Sequence, residues 1–140
     1  MKSRFMLVLV MVGAVVLLAA CGGATEATTD DAIDLSTLGP NIDVDTAHAL
    51  QSNPNVFMLD VREPDEYEAG HIPGITLIPM GEIVDRLSEI PADQSVVVTC
   101  RTGNRSAQIA DLLREQGYSN VHNMDGGIVA WEEAGYAVEQ

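Results

Sequence analysis

Val96-Val97-Val98-Thr99-Cys100-Arg101-Thr102-Gly103-Asn104-Arg105-Ser106 is the stretch from which the fold can be read. Its first four residues are all β-branched, which suits a strand buried on both faces of a sheet. A short loop follows. Beyond it, Ile109, Leu112 and Leu113 recur on one face of a helix that Gly117 stops as a C-cap. A strand, a short loop and a helix in that order form the repeating unit of a parallel sheet. Working outward, Val56-Phe57-Met58-Leu59 is a second short apolar run of strand type. Thr76-Leu77-Ile78 and Asn120-Val121-His122 are weaker strand candidates. Met80, Ile83, Val84 and Leu87 fall at helical spacing and predict a helix that ends before Pro91. Val44, Ala47 and Leu50 predict another, capped by Asp43. The alternation predicts a small α/β domain over residues 41–140, a mostly parallel central sheet flanked by helices.

The first twenty residues are a different polymer. Lys2 and Arg4 precede an apolar run from Phe5 to Leu18 that only Gly13 interrupts. A membrane span needs about 20 apolar residues, whereas a secretory signal needs roughly 7–15. The run fits the second, with a retained short anchor as the alternative. Leu18-Ala19-Ala20-Cys21 resembles the lipobox of bacterial lipoprotein signal peptides. That resemblance implies cleavage of residues 1–20, a lipid on the Cys21 thiol, and an exported domain held at a membrane. Residues 21–40, rich in Gly, Ala, Thr and Asp, then read as the lipidated N-terminus and a flexible linker.

Charge excludes several functions. The chain carries 21 acidic against 7 basic residues, a net charge of −14. Beyond residue 20 there is no lysine, and 21 acids face five arginines, a formal charge of −16. A surface this acidic repels phosphodiester chains, so no nucleic-acid partner is expected. Two cysteines cannot build a disulfide framework or a Cys-rich zinc site. His48 and His122 have no Cys or His at ligand spacing, so no metal is expected, and no other cofactor is implied.

Lipidation of Cys21 would leave Cys100 as the only free thiol, placed where α/β sheets put their ligands, at the carboxyl end of a parallel strand. The following helix aims unpaired N–H groups and its positive dipole end at the sulfur. Arg101 and Arg105 flank the loop. Together these favour thiolate, so Cys100 is predicted to be a nucleophile of depressed pKa. Gly103 lets the backbone through Thr102 and Asn104 curl into an anion nest. Arg101 and Arg105 are expected to hold the oxyanion end of a substrate. An inert strand-end cysteine is the alternative, but it leaves unexplained why two of five arginines lie beside the thiol.

The loop from Cys100 to Arg105, followed by Ser106, resembles the active-site loop of rhodanese-type sulfurtransferases. Asp60-Val61-Arg62-Glu63-Pro64 with Glu66-Tyr67, Gly70-His71-Ile72-Pro73-Gly74, and Asp125-Gly126-Gly127-Ile128 with Trp131 resemble the family's other signatures, in the same order. Ile75 departs from the small alanine usual there, which bears on packing. The resemblance covers residues 41–138 and implies sulfur transfer through a persulfide on Cys100. The donor would be a small anion such as thiosulfate, and the acceptor a thiol or cyanide, with a protein acceptor as an option. It also implies supporting roles for Asp60, Arg62, His71 and Ser106: the first two as loop-holding charges, His71 as a hydrogen-bonded brace. In the family a six-residue loop, as here, goes with sulfur, and a loop one residue longer with phosphate or arsenate. Two rivals remain at this stage: a persulfide carrier that docks on a partner, and a cysteine-dependent phosphatase or arsenate reductase.

Overall fold

In a computed structural model that describes residues 33–140, five strands form one parallel sheet: β1 (Asn41–Ile42), β2 (Val56–Asp60), β3 (Thr76–Leu77), β4 (Ser95–Thr99) and β5 (Val121–Met124). Their order is β1-β5-β4-β2-β3. Four helices connect and cover them: α1 (Val44–Leu50), α2 (Pro64–Ala69), α3 (Asn104–Glu115) and α4 (Gly127–Glu133). The fold is the α/β architecture expected from the alternation. The signal segment 1–20 and the lipidation site Cys21 lie outside the described residues.

β4 occupies the centre, and all five of its residues are buried. Its alternation sorts the core into two layers. Val96 and Val98 pack with Leu59, Ile109, Ala110 and Leu113, while Val97 faces Met58, Leu50, Met124 and Trp131. In register, Asp60 pairs with Thr99, so β2 and β4 deliver Asp60 and Cys100 to the same end of the sheet. Asp43 caps α1 by accepting from the Thr46 N–H at 2.8 Å. α2 begins with Pro64 at its first turn and a capping box in which Glu66 accepts from the Glu63 N–H.

Two expectations need correction. No α-helix forms across Met80–Leu87. Two 3₁₀ turns, Met80–Glu82 and Leu87–Glu89, flank an irregular link, and Val84 is 63% exposed. Both ends of this segment are tied to tertiary partners. Met80 N–H donates to Val61 O at 3.1 Å, and the Tyr118 hydroxyl donates to Leu87 O at 2.9 Å. The segment buries Ile83 and Ile90 and follows the domain surface between those ties.

Likewise, residues 33–40 belong to the domain and not to a linker running to residue 40. Ile33, Leu35 and Leu38 pack against the layer containing Trp131 and Leu50. Pro40 O accepts from Asn123 N–H and from Arg114 Nη2, both at 2.9 Å. Three widely spaced apolar side chains are partly buried here because β1 leads the chain along the sheet edge, which composition cannot show.

Candidate active site

Cys100 follows β4 directly and is 1% exposed. Its Sγ accepts from the Gly103 N–H at 3.2 Å and lies 3.4 Å from the Ser106 hydroxyl. Gly103 makes the turn possible with φ of +94°, a left-handed conformation that a Cβ disfavours. Burial pushes the thiol pKa up. The Ser106 hydroxyl, with the backbone N–H groups of Ser106, Thr102 and Gly103, outweighs it and leaves the thiol below its ordinary value. The thiolate is therefore favoured chiefly by hydroxyl and amide donors. The arginines emphasised by the sequence have other tasks.

Arg105 forms a two-pronged ion pair with Glu66, both contacts at 2.7 Å. That pair links α3 to α2 and uses the guanidinium face expected to grip a substrate. Arg105 holds the Glu66 carboxyl at about 2, well below its ordinary 4.5. Because the folded pKa is depressed, the stabilisation is complete above about 4.5 and is lost as pH falls toward 2. Between those limits Glu66→Gln should lose less thermal stability than the unmodified chain. Parallel melting curves with equal acid sensitivity would contradict this.

Arg101, Thr102 and Asn104 are exposed on the loop, while Gly103 and Ser106 are buried. Arg101 lines a cleft of about 370 Å³ together with Arg62, Glu66, Gly70, Val129 and Glu132. Asp60 and Arg62 form a buried ion pair at 2.6 Å beneath this cleft. Arg62 also donates to Glu66 O at 3.0 Å and Gly70 O at 2.9 Å, tying down the segment around α2. His71 stacks on Tyr67 with ring centroids 3.7 Å apart, and its Nδ1 lies 3.0 Å from Tyr67 O. Its Nε2 is 3.4 Å from a Glu139 carboxylate oxygen. These contacts bind His71 to Tyr67 on α2 and to Glu139, and not to the loop that carries Cys100.

The loop is braced from the other side by α4. Ile128 N–H donates to Cys100 O at 2.9 Å, and Val129 N–H to Arg101 O at 3.2 Å. Gly127, with φ of +60°, permits that approach: a Cβ on it would fall 2.4 Å from Cys100 O. Gly127→Ala should therefore displace the loop and cost about 1–3 kcal/mol in backbone strain alone. The rate of Cys100 alkylation should change more steeply than thermal stability. An alanine variant with an unaltered alkylation rate would show that the loop tolerates the shift.

The geometry is that of an anion cradle around a buried sulfur. A model of the rhodanese-like domain matches residues 43–134. The chain belongs to the rhodanese-like family. It is 43% identical over 89 residues to a sulfurtransferase of Allochromatium vinosum, covering 64% of this chain and 83% of that protein. It is 39% identical over 85 residues to the thiosulfate sulfurtransferase GlpE of Pseudoalteromonas translucida, covering 61% and 81%. Among solved structures, a rhodanese-related protein from Thermoplasma volcanium superimposes with a TM-score of 0.66 at 32% identity, over 72% of this chain and 98% of that one.

Within the rhodanese-like domain, the structure brings Cys100, Gly103 and Ser106 together around one sulfur and places Arg101 on the adjoining cleft. It sets His71 apart. The sequence reading gave no structural task to Glu66, Gly127 or Asn123. The first could have been found from the Glu63-Pro64-Asp65-Glu66 capping pattern. The second is signalled by two consecutive glycines before a helix. Asn123 shows itself only as a polar residue in a buried strand.

Proposed function

We propose that this chain is a rhodanese-type sulfurtransferase that carries sulfane sulfur as a persulfide on Cys100. Family membership and relatives named as sulfurtransferases support the general activity. The observation that carries the mechanism is the Cys100 sulfur, buried at a strand end and facing the donors of a six-residue loop.

The Cys100 thiolate attacks the outer sulfur of a donor such as thiosulfate. A bond forms from Sγ to that sulfur, and the donor's S–S bond breaks, its electron pair leaving on sulfite. The terminal sulfur of the persulfide then carries the negative charge, within reach of backbone N–H groups that need not reorganise. An acceptor thiolate, or cyanide in an assay, attacks the terminal sulfur and releases Cys100 as thiolate. No general base is required once the thiol is ionised. Arg101, exposed on the cleft, is the cation that meets the sulfonate end of the donor, since Arg105 is held by Glu66.

The test is an intact mass after thiosulfate treatment. The expected result is a gain of one sulfur atom, lost again on adding cyanide. If the gain is absent, the proposal is wrong. A single loading without steady turnover on small acceptors would favour a carrier role. The same proposal includes export and lipid attachment at Cys21, supported by the lipobox resemblance. A mature N-terminal peptide that does not begin at Cys21, or that carries no lipid mass on it, would overturn that part.

A further inference from the structure

Asn123 lies in β5, 4% exposed, and makes three side-chain hydrogen bonds. Its Nδ2 donates to Asn41 Oδ1 and to Asp125 Oδ1, both at 3.2 Å. A carboxylate only accepts, so the contact with Asp125 fixes which end of the amide is nitrogen. Asn123 Oδ1 therefore faces the Ser106 hydroxyl, 2.6 Å away. The same hydroxyl lies 3.4 Å from Cys100 Sγ. A serine hydroxyl has one proton, and here it has two acceptors.

Which acceptor holds that proton depends on the charge on sulfur. While Cys100 is a thiol, the shorter contact to Asn123 takes the proton, and the hydroxyl oxygen can receive the S–H. When Cys100 is a thiolate, a charged acceptor forms the stronger bond, and the proton turns to Sγ. After sulfur is loaded the charge moves to the terminal atom, Sγ becomes a weak acceptor, and the proton returns to Asn123. We propose that Asn123 is a positioning residue acting through Ser106: it holds the hydroxyl proton whenever Sγ is neutral and yields it when Sγ is charged. Asn123 thereby keeps the thiolate from being stabilised so strongly that it attacks slowly. β1 contributes through Asn41, which orients the amide from the sheet edge.

This inference rests on Cys100 as the sulfur-carrying nucleophile, but its test reads thiol ionisation and needs no turnover. The charged groups around the loop are Asp60 at the end of β2, Arg62 just after it, Asp65 and Glu66 on α2, Arg101 of the loop, Arg105 in the first turn of α3, Asp125 after β5 and Glu132 on α4. All are unchanged in the variants. The pH dependence of Cys100 alkylation is measured on the full chain by peptide mass. In Asn123→Leu the midpoint should fall by about half a unit to one unit, because Ser106 then donates to sulfur without competition. In Ser106→Ala the midpoint should rise, and adding Asn123→Leu to it should produce no further shift. An unchanged or raised midpoint in folded Asn123→Leu, or the same fall in the Ser106→Ala background, overturns the proposal. Should Asn123→Leu not fold, the unmodified chain decides. The Asn123 side-chain carbonyl carbon should titrate in NMR with the Cys100 midpoint and lose that titration in Ser106→Ala. A carbonyl signal flat through the Cys100 titration also overturns it.

Discussion

Cys100→Ser should abolish sulfur transfer, with kcat/KM for thiosulfate reduced at least about a thousandfold. The substitution changes one atom and leaves the cradle in place. A serine oxygen still accepts from Gly103 N–H, so circular dichroism and melting temperature should stay near those of the unmodified chain. A serine alkoxide is not accessible at neutral pH, however, and cannot carry a sulfane sulfur between donor and acceptor. The loss must therefore appear in the chemical step and in sulfur loading together. Turnover within tenfold of the unmodified chain would remove Cys100 from the mechanism. A loss of turnover accompanied by unfolding would be resolved with Cys100→Ala, for which the same loss is expected.

Arg62→Met should produce the largest loss of stability, about 3–5 kcal/mol, because it leaves a buried carboxylate without its counter-charge. Asp60 is 1% exposed and receives Arg62 through Nε and Nη2, the closest contact at 2.6 Å. The variant also strips a donor from Glu66 O and from Gly70 O. The measurement is the denaturant midpoint at unchanged slope. Removing both charges in Asp60→Leu/Arg62→Met should recover part of the loss, since no unpaired charge then stays buried. A cost below about 1 kcal/mol for Arg62→Met would mean that water reaches Asp60 and that the pair is not desolvated.

Much of the fold was legible because its signals are local. The four β-branched residues before Cys100, the Asp43 cap and the stripe through Ile109 and Leu113 each need only neighbours in sequence, and each became the expected element. The segment Met80–Leu87 shows the limit of that reasoning. Its helical period is real, yet its ends are bound by Val61 and Tyr118, and those long-range ties outweigh local propensity. Residues 33–40 misled in the opposite direction. Their composition is that of a linker, and they fold onto the domain because β1 pairs with β5.

The site divides in the same way. The position of Cys100, the length of its loop and the need for Gly103 follow from the order of residues, since strand, loop and helix are contiguous. The partners of those residues do not. Arg105 meets Glu66 across 39 positions, Ser106 meets Asn123 across 17, and Asn123 meets Asn41 across 82. A charged or polar side chain takes the best complementary group within a few ångströms, and only the packed sheet determines which groups those are. Sequence thus located the candidate nucleophile and the loop that carries it. Tertiary structure decided which cation is held by a carboxylate and which lines the cleft, and that amide and hydroxyl donors tune the sulfur.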